Sequence, residues 1–278
     1  MLSALLRGIS LFGGLLGHRQ RRFLLDRLHF GSLLSSLAQG RYQEIRLPNG
    51  LRLSINPLLH GHLAKDGRLA YEPAVIEALE RHLSKGATFY DVGANVGAFS
   101  FLAATLVGDG GHVLAFEPEP NNTSCFRRSA VAARLLNLKL HDCALGAADG
   151  ETVFDRHGGA FSGRLVEQQV AAPKERVLPV KVRSIDSLLA EGAPAPTLIK
   201  IDVEGGEGAV LEGASEALRR HRPVVLCEMH PDNPDGVLRA FEALKAAGYR
   251  MSALEEPSQA VTGPRATDST YHVLATAA

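Results

Sequence analysis

From residue 87 onward, short apolar segments alternate with segments that have the periodicity of amphipathic helices. The apolar segments predict the strands "ATFYDVG", "HVLAFEP", "LKLHDCALG", "TLIKIDVEG" and "PVVLCEMH". Strands that alternate with helices form a parallel sheet with helices on both faces. The pattern therefore predicts an α/β fold of the doubly wound, Rossmann-like class.

Segments outside this alternation predict additional elements. Near the end of the chain, "YRMSALEE" and "TYHVLATAA" predict two strands with no helix between them, which indicates a terminal antiparallel hairpin. The middle of the chain contains "ETVFDRH" and "RVLPVKVRSI", which predict two further strands joined by a loop. The segment "EGAVLEGASEALRRH" predicts one helix.

The first 70 residues show a different pattern. Leucines spaced by three and four predict a helix over residues 1–40. The segment "YQEIRLPNGLRLSIN" alternates apolar and polar residues around Asn49-Gly50, which predicts a β-hairpin. A helix is then expected over "EPAVIEALERHLSKG". We therefore predict an N-terminal helical and β-hairpin extension over residues 1–70, followed by the α/β domain over residues 71–278.

Charge and cysteine content exclude several classes of protein. The formal net charge is +0, which argues against a nucleic-acid partner. Three cysteines without a CxxC pair favour a reducing compartment and a cytoplasmic location. The apolar N-terminus is followed by a basic cluster, unlike a signal peptide, and is shorter than a span. We expect it to pack on the protein; the alternative is peripheral membrane contact through residues 1–25.

The segment "FYDVGANVGAFS" predicts a tight turn between the first strand of the alternating pattern and its helix. Gly93 allows the turn, and Gly97 lets the helix approach the strand or a ligand. With Asp91 and Asn95, these glycines form a candidate site for a nucleotide-like cofactor. The structural alternative is a turn without a ligand.

Acidic residues at the ends of the next two strands strengthen this interpretation. Glu117 follows the second strand, where a carboxylate can accept hydrogen bonds from both ribose hydroxyls of a cofactor. Asp142 follows the third strand and is placed to accept a hydrogen bond from an adenine amino group. Capping of a helix or turn is the alternative role for either residue.

Two cofactor classes fit these residues: nicotinamide dinucleotides and S-adenosylmethionine. The dinucleotide fingerprint is GxGxxG, whereas this loop reads GxNxG. None of the tyrosines has a lysine four residues later, so the acid–base pair of a short-chain dehydrogenase is missing. S-adenosylmethionine has no phosphate, and its ammonium group needs an acceptor such as Asp91.

Taken in order, four segments resemble the FkbM-type S-adenosylmethionine-dependent methyltransferases: "FYDVGANVGAFS", "AFEPEPNN", "HDCALGAADG" and "LIKIDVEGGEGAVLEGA". The resemblance covers about residues 70–252, and the preceding "YEP" adds Glu72 to the expected cofactor-binding residues. It implies a seven-stranded, mostly parallel sheet with an antiparallel last strand. It also implies O-methylation of hydroxyls on sugars, lipid-linked glycans or natural products.

The fourth strand, "LIKIDVEGGE", has charges at alternate positions, which share one face of a strand. At the edge where ligands bind, Asp202 is the first candidate to orient or deprotonate an acceptor hydroxyl. Lys200 is expected to fix Asp202 or stabilise developing negative charge, with Glu204 beside them. A purely structural ion-pair network is the alternative.

The fifth strand, "LCEMHPD", places Glu228 and His230 on one face, and His230 is a candidate general base. A divalent cation held by Asp202, Glu204, His230 and Asp232 is the alternative. No tight ligand spacing supports it, so we predict no metal site.

Together these features predict an S-adenosylmethionine-dependent O-methyltransferase acting on a small-molecule or glycan acceptor. The alternatives are an NAD(P)-dependent oxidoreductase and a non-catalytic nucleotide-binding protein.

Overall fold

A computed structural model of the chain describes residues 40–70, 72–156, 164–166, 177–267 and 269–278. Nearly all of the helix predicted over residues 1–40 lies outside this part of the chain, and so do residues 1–25, for which membrane contact was the alternative. Across the ranges just given, no helix is both long and apolar enough to cross a membrane.

The strands and helices of the described residues are numbered separately, each in chain order. The strands are β1 (Gln43–Arg46), β2 (Arg52–Ile55), β3 (Ala64–Lys65), β4 (Arg68–Leu69), β5 (Thr88–Val92), β6 (His112–Phe116), β7 (Leu138–His141), β8 (Ala144–Leu145), β9 (Gly150–Asp155), β10 (Arg164–Val166), β11 (Val177–Arg183), β12 (Leu198–Ile201), β13 (Val224–Met229), β14 (Tyr249–Ala253) and β15 (Tyr271–Ala277). The helices are α1 (Pro73–His82), α2 (Ala98–Val107), α3 (Pro120–Ala133), α4 (Ile185–Ala190), α5 (Glu207–Glu212), α6 (Ser215–His221) and α7 (Pro234–Ala246).

The central feature is a seven-stranded sheet with the strand order β14-β15-β13-β12-β5-β6-β7. The pairs from β13 to β7 are parallel, whereas β15 runs antiparallel to both β13 and β14. This confirms the predicted Rossmann-like sheet and its terminal antiparallel hairpin. The chain runs outward from β5 in one direction and later from β12 in the other. The crevice for a ligand is therefore expected where the carboxyl ends of these two neighbours meet.

Burial of both sheet faces explains why the central strands are almost continuously apolar. Every residue of β5 and β12 is buried, including the polar ones. Tyr90 and Ile199 belong to one apolar core with residues of α5, α6 and α7. Phe89 and Leu198 belong to a second core on the opposite face, with residues of α1 and α2. Alternate residues of each strand point to opposite faces of the sheet, so the apolar strands pack against helices on both faces.

Two predicted elements are divided in the structure. The single helix predicted over "EGAVLEGASEALRRH" was wrong, because the chain bends at Gly213 between α5 and α6. The Gly213 carbonyl accepts a hydrogen bond from the amide of Asp186, and a Cβ at Gly213 would lie 2.0 Å from the carbonyl oxygen of Gly146. Likewise, "LKLHDCALG" forms two strands, since β8 leaves the main sheet to pair with β11.

The strands predicted at "ETVFDRH" and "RVLPVKVRSI" are confirmed as β9 and β11. They belong to a second sheet with the order β10-β9-β11-β8. The predicted hairpin is also confirmed, since β1 and β2 pair antiparallel on either side of Asn49-Gly50. Its apolar side chains Ile45 and Leu53 pack in the same core as Phe89. The segment before residue 70 therefore has its own sheet but shares a core with the main sheet.

Candidate active site

A glycine turn joins the carboxyl ends of the central strands. Gly93 follows β5 with φ +78°, and its amide donates a hydrogen bond to the carbonyl of Phe116 at the end of β6 (3.0 Å). A Cβ on Gly93 would lie 1.8 Å from the backbone oxygen of Asp202, which follows β12. Only glycine combines this backbone conformation with such a close approach. The turn and the catalytic candidate Asp202 are therefore in direct contact.

The rest of the turn leads into α2. Gly97 has φ +92°, and a Cβ there would lie 2.5 Å from the ring of Phe126 in α3. Asn95 also has a positive φ, +52°, and its side-chain oxygen accepts a hydrogen bond from the amide of Val96 (2.8 Å). The amide of Asn95 donates to Glu117 Oε2 at 2.9 Å. Four residues predicted for cofactor binding, Gly93, Asn95, Gly97 and Glu117, thus form one continuous group.

Glu117 is a buried carboxylate at the end of β6, with 4% of its surface exposed. Burial raises the pKa of Glu117 to about 7, although the backbone amides of Glu119 and Asn95 oppose the shift. The Glu119 amide donates to Oε1 at 2.8 Å. Each carboxylate oxygen has two lone pairs, so both oxygens can accept one further hydrogen bond. This capacity matches two adjacent hydroxyls.

Asp91, at the end of β5, is fully buried. Its Oδ2 accepts a 2.5 Å hydrogen bond from Ser100 Oγ, whereas its Oδ1 has no hydrogen-bond partner within the described part of the chain. Burial raises the pKa of Asp91, and the neighbouring Lys200 opposes the shift. Buried polar atoms normally have partners. The unsatisfied oxygen therefore marks a position for a donor group of a ligand.

Asp142 differs from the other predicted cofactor residues. It follows β7 as predicted, but its side chain is 51% exposed and forms an ion pair with Arg127 of α3. It does not share the hydrogen bonds that join Asn95 to Glu117. A role in adenine binding remains a prediction.

Lys200 and Asp202 form an ion pair at the carboxyl end of β12, next to the glycine turn. Lys200 Nζ lies 3.1 Å from Asp202 Oδ2 and 5.1 Å from the centre of the Phe99 ring. Only 3% of the lysine side chain is exposed. Burial alone would lower the pKa of Lys200, but nearby carboxylates, first of all Asp202 and Asp91, outweigh it and raise the pKa. Lys200 is therefore a buried cation that depends on these carboxylates.

His230 follows β13 and faces the same carboxylate. Its Nδ1 lies 2.6 Å from Glu207 Oε1, and its Nε2 lies 3.9 Å from Asp202 Oδ1 and 3.7 Å from Glu204 Oε2. Burial would lower the pKa of His230, but the hydrogen bond that it donates to Glu207 and the surrounding carboxylates raise the pKa to about 10. An imidazolium has no free lone pair with which to accept a proton. This argues against the general-base role predicted for His230 and makes the residue a charged neighbour of Asp202.

Asp202 and Glu228 differ in protonation. Burial would raise the pKa of Asp202, but Lys200 and His230 outweigh it and lower the pKa. The opposite holds for Glu228, where burial and the neighbouring Asp202 carboxylate raise the pKa. The pKa values of these two neighbouring carboxyl groups are therefore shifted in opposite directions.

Glu72 lies beside these catalytic candidates rather than at the glycine turn. It precedes α1 with φ +44°, and its Oε2 lies 3.5 Å from His272 Nε2. Ligand atoms of Glu72, Glu228 and His272 all lie within 4.8 Å of one another. The structure thus places Glu72 apart from the hydrogen-bonded group around Glu117, with which the resemblance had grouped it.

Two further residues of the site do not stand out in the sequence. Glu207 looks like an acidic residue that favours a helix N-terminus, yet it is fully buried and accepts a hydrogen bond from the amide of Gly205 (2.8 Å). His272 lies in β15 directly opposite Glu228, and the pairing of these strands brings the two together. The sequence contains no local signal for His272.

The chain is similar to known methyltransferases. The family model described as "Methyltransferase FkbM domain" matches residues 91–251. The hexuronic acid methyltransferase AglP of Haloferax volcanii is 27% identical over 71% of this chain and 78% of its own length. The 31-O-demethyl-FK506 methyltransferase FkbM of Streptomyces tacrolimicus is 28% identical over 77% of this chain and 92% of its own length.

Solved structures of similar proteins include a methyltransferase FkbM from Methylobacillus flagellatus. It is 19% identical, with a TM-score of 0.45, over 69% of this chain and 44% of that chain. An S-adenosylmethionine-dependent O-methyltransferase from Thermotoga maritima is 15% identical, with a TM-score of 0.46, over 87% of this chain and 80% of that chain.

The cofactor of this family is S-adenosylmethionine, and the residues present fit it. Glu117 can accept hydrogen bonds from two ribose hydroxyls, and the unsatisfied Oδ1 of Asp91 suits the ammonium group of the amino-acid moiety. The GxNxG turn follows the first strand of the sheet, where such cofactors bind. Since the family match extends over more than half of the 278 residues, the chain belongs to the FkbM methyltransferase family and uses S-adenosylmethionine.

Proposed function

We propose that this methyltransferase transfers the methyl group to a hydroxyl of a sugar, glycan, glycolipid or natural-product acceptor. The observation that carries the proposal is the position of Asp202, whose carboxylate lies between Lys200 and His230 and whose backbone oxygen contacts the glycine turn. The names of two relatives support an oxygen-rich acceptor, since one acts on a hexuronic acid and the other on 31-O-demethyl-FK506.

Asp202 is the proposed catalytic group that receives the proton. Bound S-adenosylmethionine supplies a methyl group activated by its positively charged sulfur. An acceptor hydroxyl that takes up this methyl group has to lose its proton. A carboxylate of low pKa can then take that proton, while its earlier hydrogen bond to the hydroxyl aligns the oxygen for in-line attack.

Lys200 and His230 act on the acceptor through Asp202. Lys200 Nζ binds Oδ2 of this carboxylate, and His230 Nε2 faces Oδ1. Two cations on opposite oxygens keep Asp202 ionised and hold its plane in one orientation. This arrangement leaves Asp202 ready to accept a proton without a conformational change.

The charge of the site favours a hydroxyl over an amine as acceptor. Asp202 and Glu204 lie beside His230, and Glu72 lies close enough to Lys200 to raise its pKa. Carboxylates stabilise a protonated amine, which has no lone pair with which to attack a methyl group. A hydroxyl is neutral at the start of the reaction, so the same carboxylates assist it.

An acceptor screen tests the proposal. Purified full-length protein would be incubated with S-adenosylmethionine labelled in the methyl group and with matched panels of uronic acids, neutral sugars, macrolides and primary amines. We expect label to be transferred only to hydroxyl-bearing acceptors and to be found as a methyl ether. Transfer to amines alone would contradict the proposal.

Replacement of Glu117 by alanine tests the cofactor site. We expect the affinity for S-adenosylmethionine to fall by about 10- to 100-fold, because hydrogen bonds to a charged group contribute roughly 1.5–3 kcal/mol. Calorimetric titration with S-adenosylmethionine and S-adenosylhomocysteine measures this directly. A matched control is Glu151→Ala, an exposed glutamate of β9. Unchanged binding in Glu117→Ala would remove the residue from the cofactor site.

Replacement of Glu207 by glutamine tests how His230 is held. We expect the free energy of unfolding to fall by about 3 kcal/mol, because a buried imidazolium would lose its charged partner. Glu212→Gln is a control in the same helix, since Glu212 forms a surface ion pair with Arg239, for which the expected loss is below about 1 kcal/mol. Urea denaturation compares the two variants. Equal losses would show that Glu207 acts as an ordinary surface carboxylate.

A further inference from the structure

Three side chains from distant parts of the chain converge beside the Lys200–Asp202 pair. Glu72 stands at the start of α1, Glu228 lies in β13, and His272 lies opposite Glu228 in β15. One potential ligand atom from each lies within 4.8 Å of the other two. Two carboxylates and an imidazole form a donor set typical of protein metal sites.

Two of these ligand atoms are buried and unsatisfied. Glu72 Oε2 and His272 Nε2 have no hydrogen-bond partner among the described residues, although they lie 3.5 Å apart. Lys200 interacts electrostatically with Glu72, but its hydrogen bond goes to Asp202. Buried oxygen and nitrogen atoms are rarely left without a partner. At 3.5 Å the two atoms form at most a long ion pair, and a cation bound to both would satisfy them better.

The other ring nitrogen of His272 is also held by a carboxylate. His272 Nδ1 lies 3.2 Å from Glu255 Oε1. In the neutral tautomer that metal binding requires, Nδ1–H donates to this carboxylate, and Nε2 keeps a lone pair 3.5 Å from Glu72 Oε2. Histidines that bind metals usually have such a carboxylate on their second nitrogen, which fixes the tautomer and the ring orientation.

We propose that Glu72, Glu228 and His272 bind a divalent first-row metal ion such as Zn²⁺ or Mn²⁺. Three protein ligands leave at least one coordination position for water or an acceptor oxygen. Glu228 also belongs to the group formed with Asp202 and His230, so the ion would lie next to the proposed proton acceptor. Such an ion would help to orient an oxygen-bearing acceptor.

Metal binding can be measured without cofactor or acceptor, so the test does not depend on the proposed methyl transfer. Tag-free full-length protein would be treated with a chelator, then titrated with Zn²⁺ by calorimetry and with Mn²⁺ by electron paramagnetic resonance of the free ion. We expect one ion per chain for the unsubstituted protein and no measurable binding for His272→Ala or Glu72→Gln. For Glu255→Gln, we expect affinity about 10-fold weaker, as for other residues that orient a metal ligand.

His221→Ala is the matched control, because His221 is an exposed histidine at the end of α6. It should bind the ion with unchanged affinity. Circular dichroism and thermal unfolding show whether each variant is folded. If His272→Ala or Glu72→Gln does not fold, Glu255→Gln decides, since this glutamate side chain is 52% exposed.

Three outcomes would overturn the proposal. One is that neither ion binds the unsubstituted protein. Another is that the folded variants among His272→Ala, Glu72→Gln and Glu255→Gln bind the ion with the same affinity as the unsubstituted protein. The third is that binding is lost in His230→Ala but kept in His272→Ala, which would place the ion on Asp202, Glu228 and His230.

Discussion

Replacing Asp202 by asparagine is expected to lower kcat by about 10²- to 10⁴-fold, the usual contribution of a positioned proton acceptor. Asparagine has nearly the same shape but cannot take a proton at neutral pH. The affinity for S-adenosylmethionine should change little, because Asp202 contacts the glycine turn through its backbone oxygen, which the substitution keeps. Initial rates with an acceptor from the screen, combined with a cofactor titration, measure both quantities.

Asp109→Asn is the matched control for this experiment, since Asp109 is an exposed aspartate in the turn after α2. Its kcat should equal that of the unsubstituted protein. The purely structural alternative makes a different prediction: Asp202→Asn would lower stability, because Lys200 loses its partner, but would leave kcat intact. An unchanged kcat in folded Asp202→Asn would therefore assign Asp202 to a structural ion-pair network.

Replacing Gly93 by alanine is expected to destabilise the fold by about 2–5 kcal/mol. Left-handed backbone conformation costs a residue with a Cβ about 1–2 kcal/mol, and overpacking a well-packed site costs about 1–3 kcal/mol more. The added methyl group would lie 1.8 Å from the Asp202 oxygen, so β5 and β12 would have to separate at their carboxyl ends. We expect cofactor binding to be lost together with stability.

Gly50→Ala separates the two causes of this loss. Gly50 has φ +85°, similar to Gly93, but a Cβ there would meet nothing within 4 Å. Its expected loss is therefore only the conformational part, about 1–2 kcal/mol. Urea denaturation of both variants measures the difference. Equal midpoints would show that the contact between the glycine turn and Asp202 is easily relaxed.

The sequence predicts the main sheet well because its strands are local features with clear periodicity. Alternation in "LIKIDVEGGE" also places Lys200 and Asp202 together, as the 3.1 Å contact confirms. Gly93 and Gly97 predict the turn because a backbone with positive φ favours glycine. Such signals depend on neighbours along the chain, so they can be read without the fold.

Other features depend on contacts between distant segments, which periodicity does not record. His272 becomes a neighbour of Glu228 only through the register of β13 and β15. Glu207 looks like a helix-capping carboxylate until the position of His230 is known. The bend at Gly213 depends on the backbone of Gly146, which approaches from another sheet. The prediction of no metal site relied on ligand spacing, which cannot detect a set such as the proposed residues 72, 228 and 272, because they are far apart in the chain.

The buried Lys200 lies in a central strand, over the ring of Phe99 and close to the carboxyl groups of Asp202 and Asp91. Replacing buried ion pairs with apolar residues is often neutral or stabilising. The protein therefore gives up folding free energy at the middle of its sheet in order to keep a charged carboxylate at its edge. Selection for a more stable enzyme would meet a conflict at these two positions, so adaptation to higher temperature has to come from elsewhere in the chain.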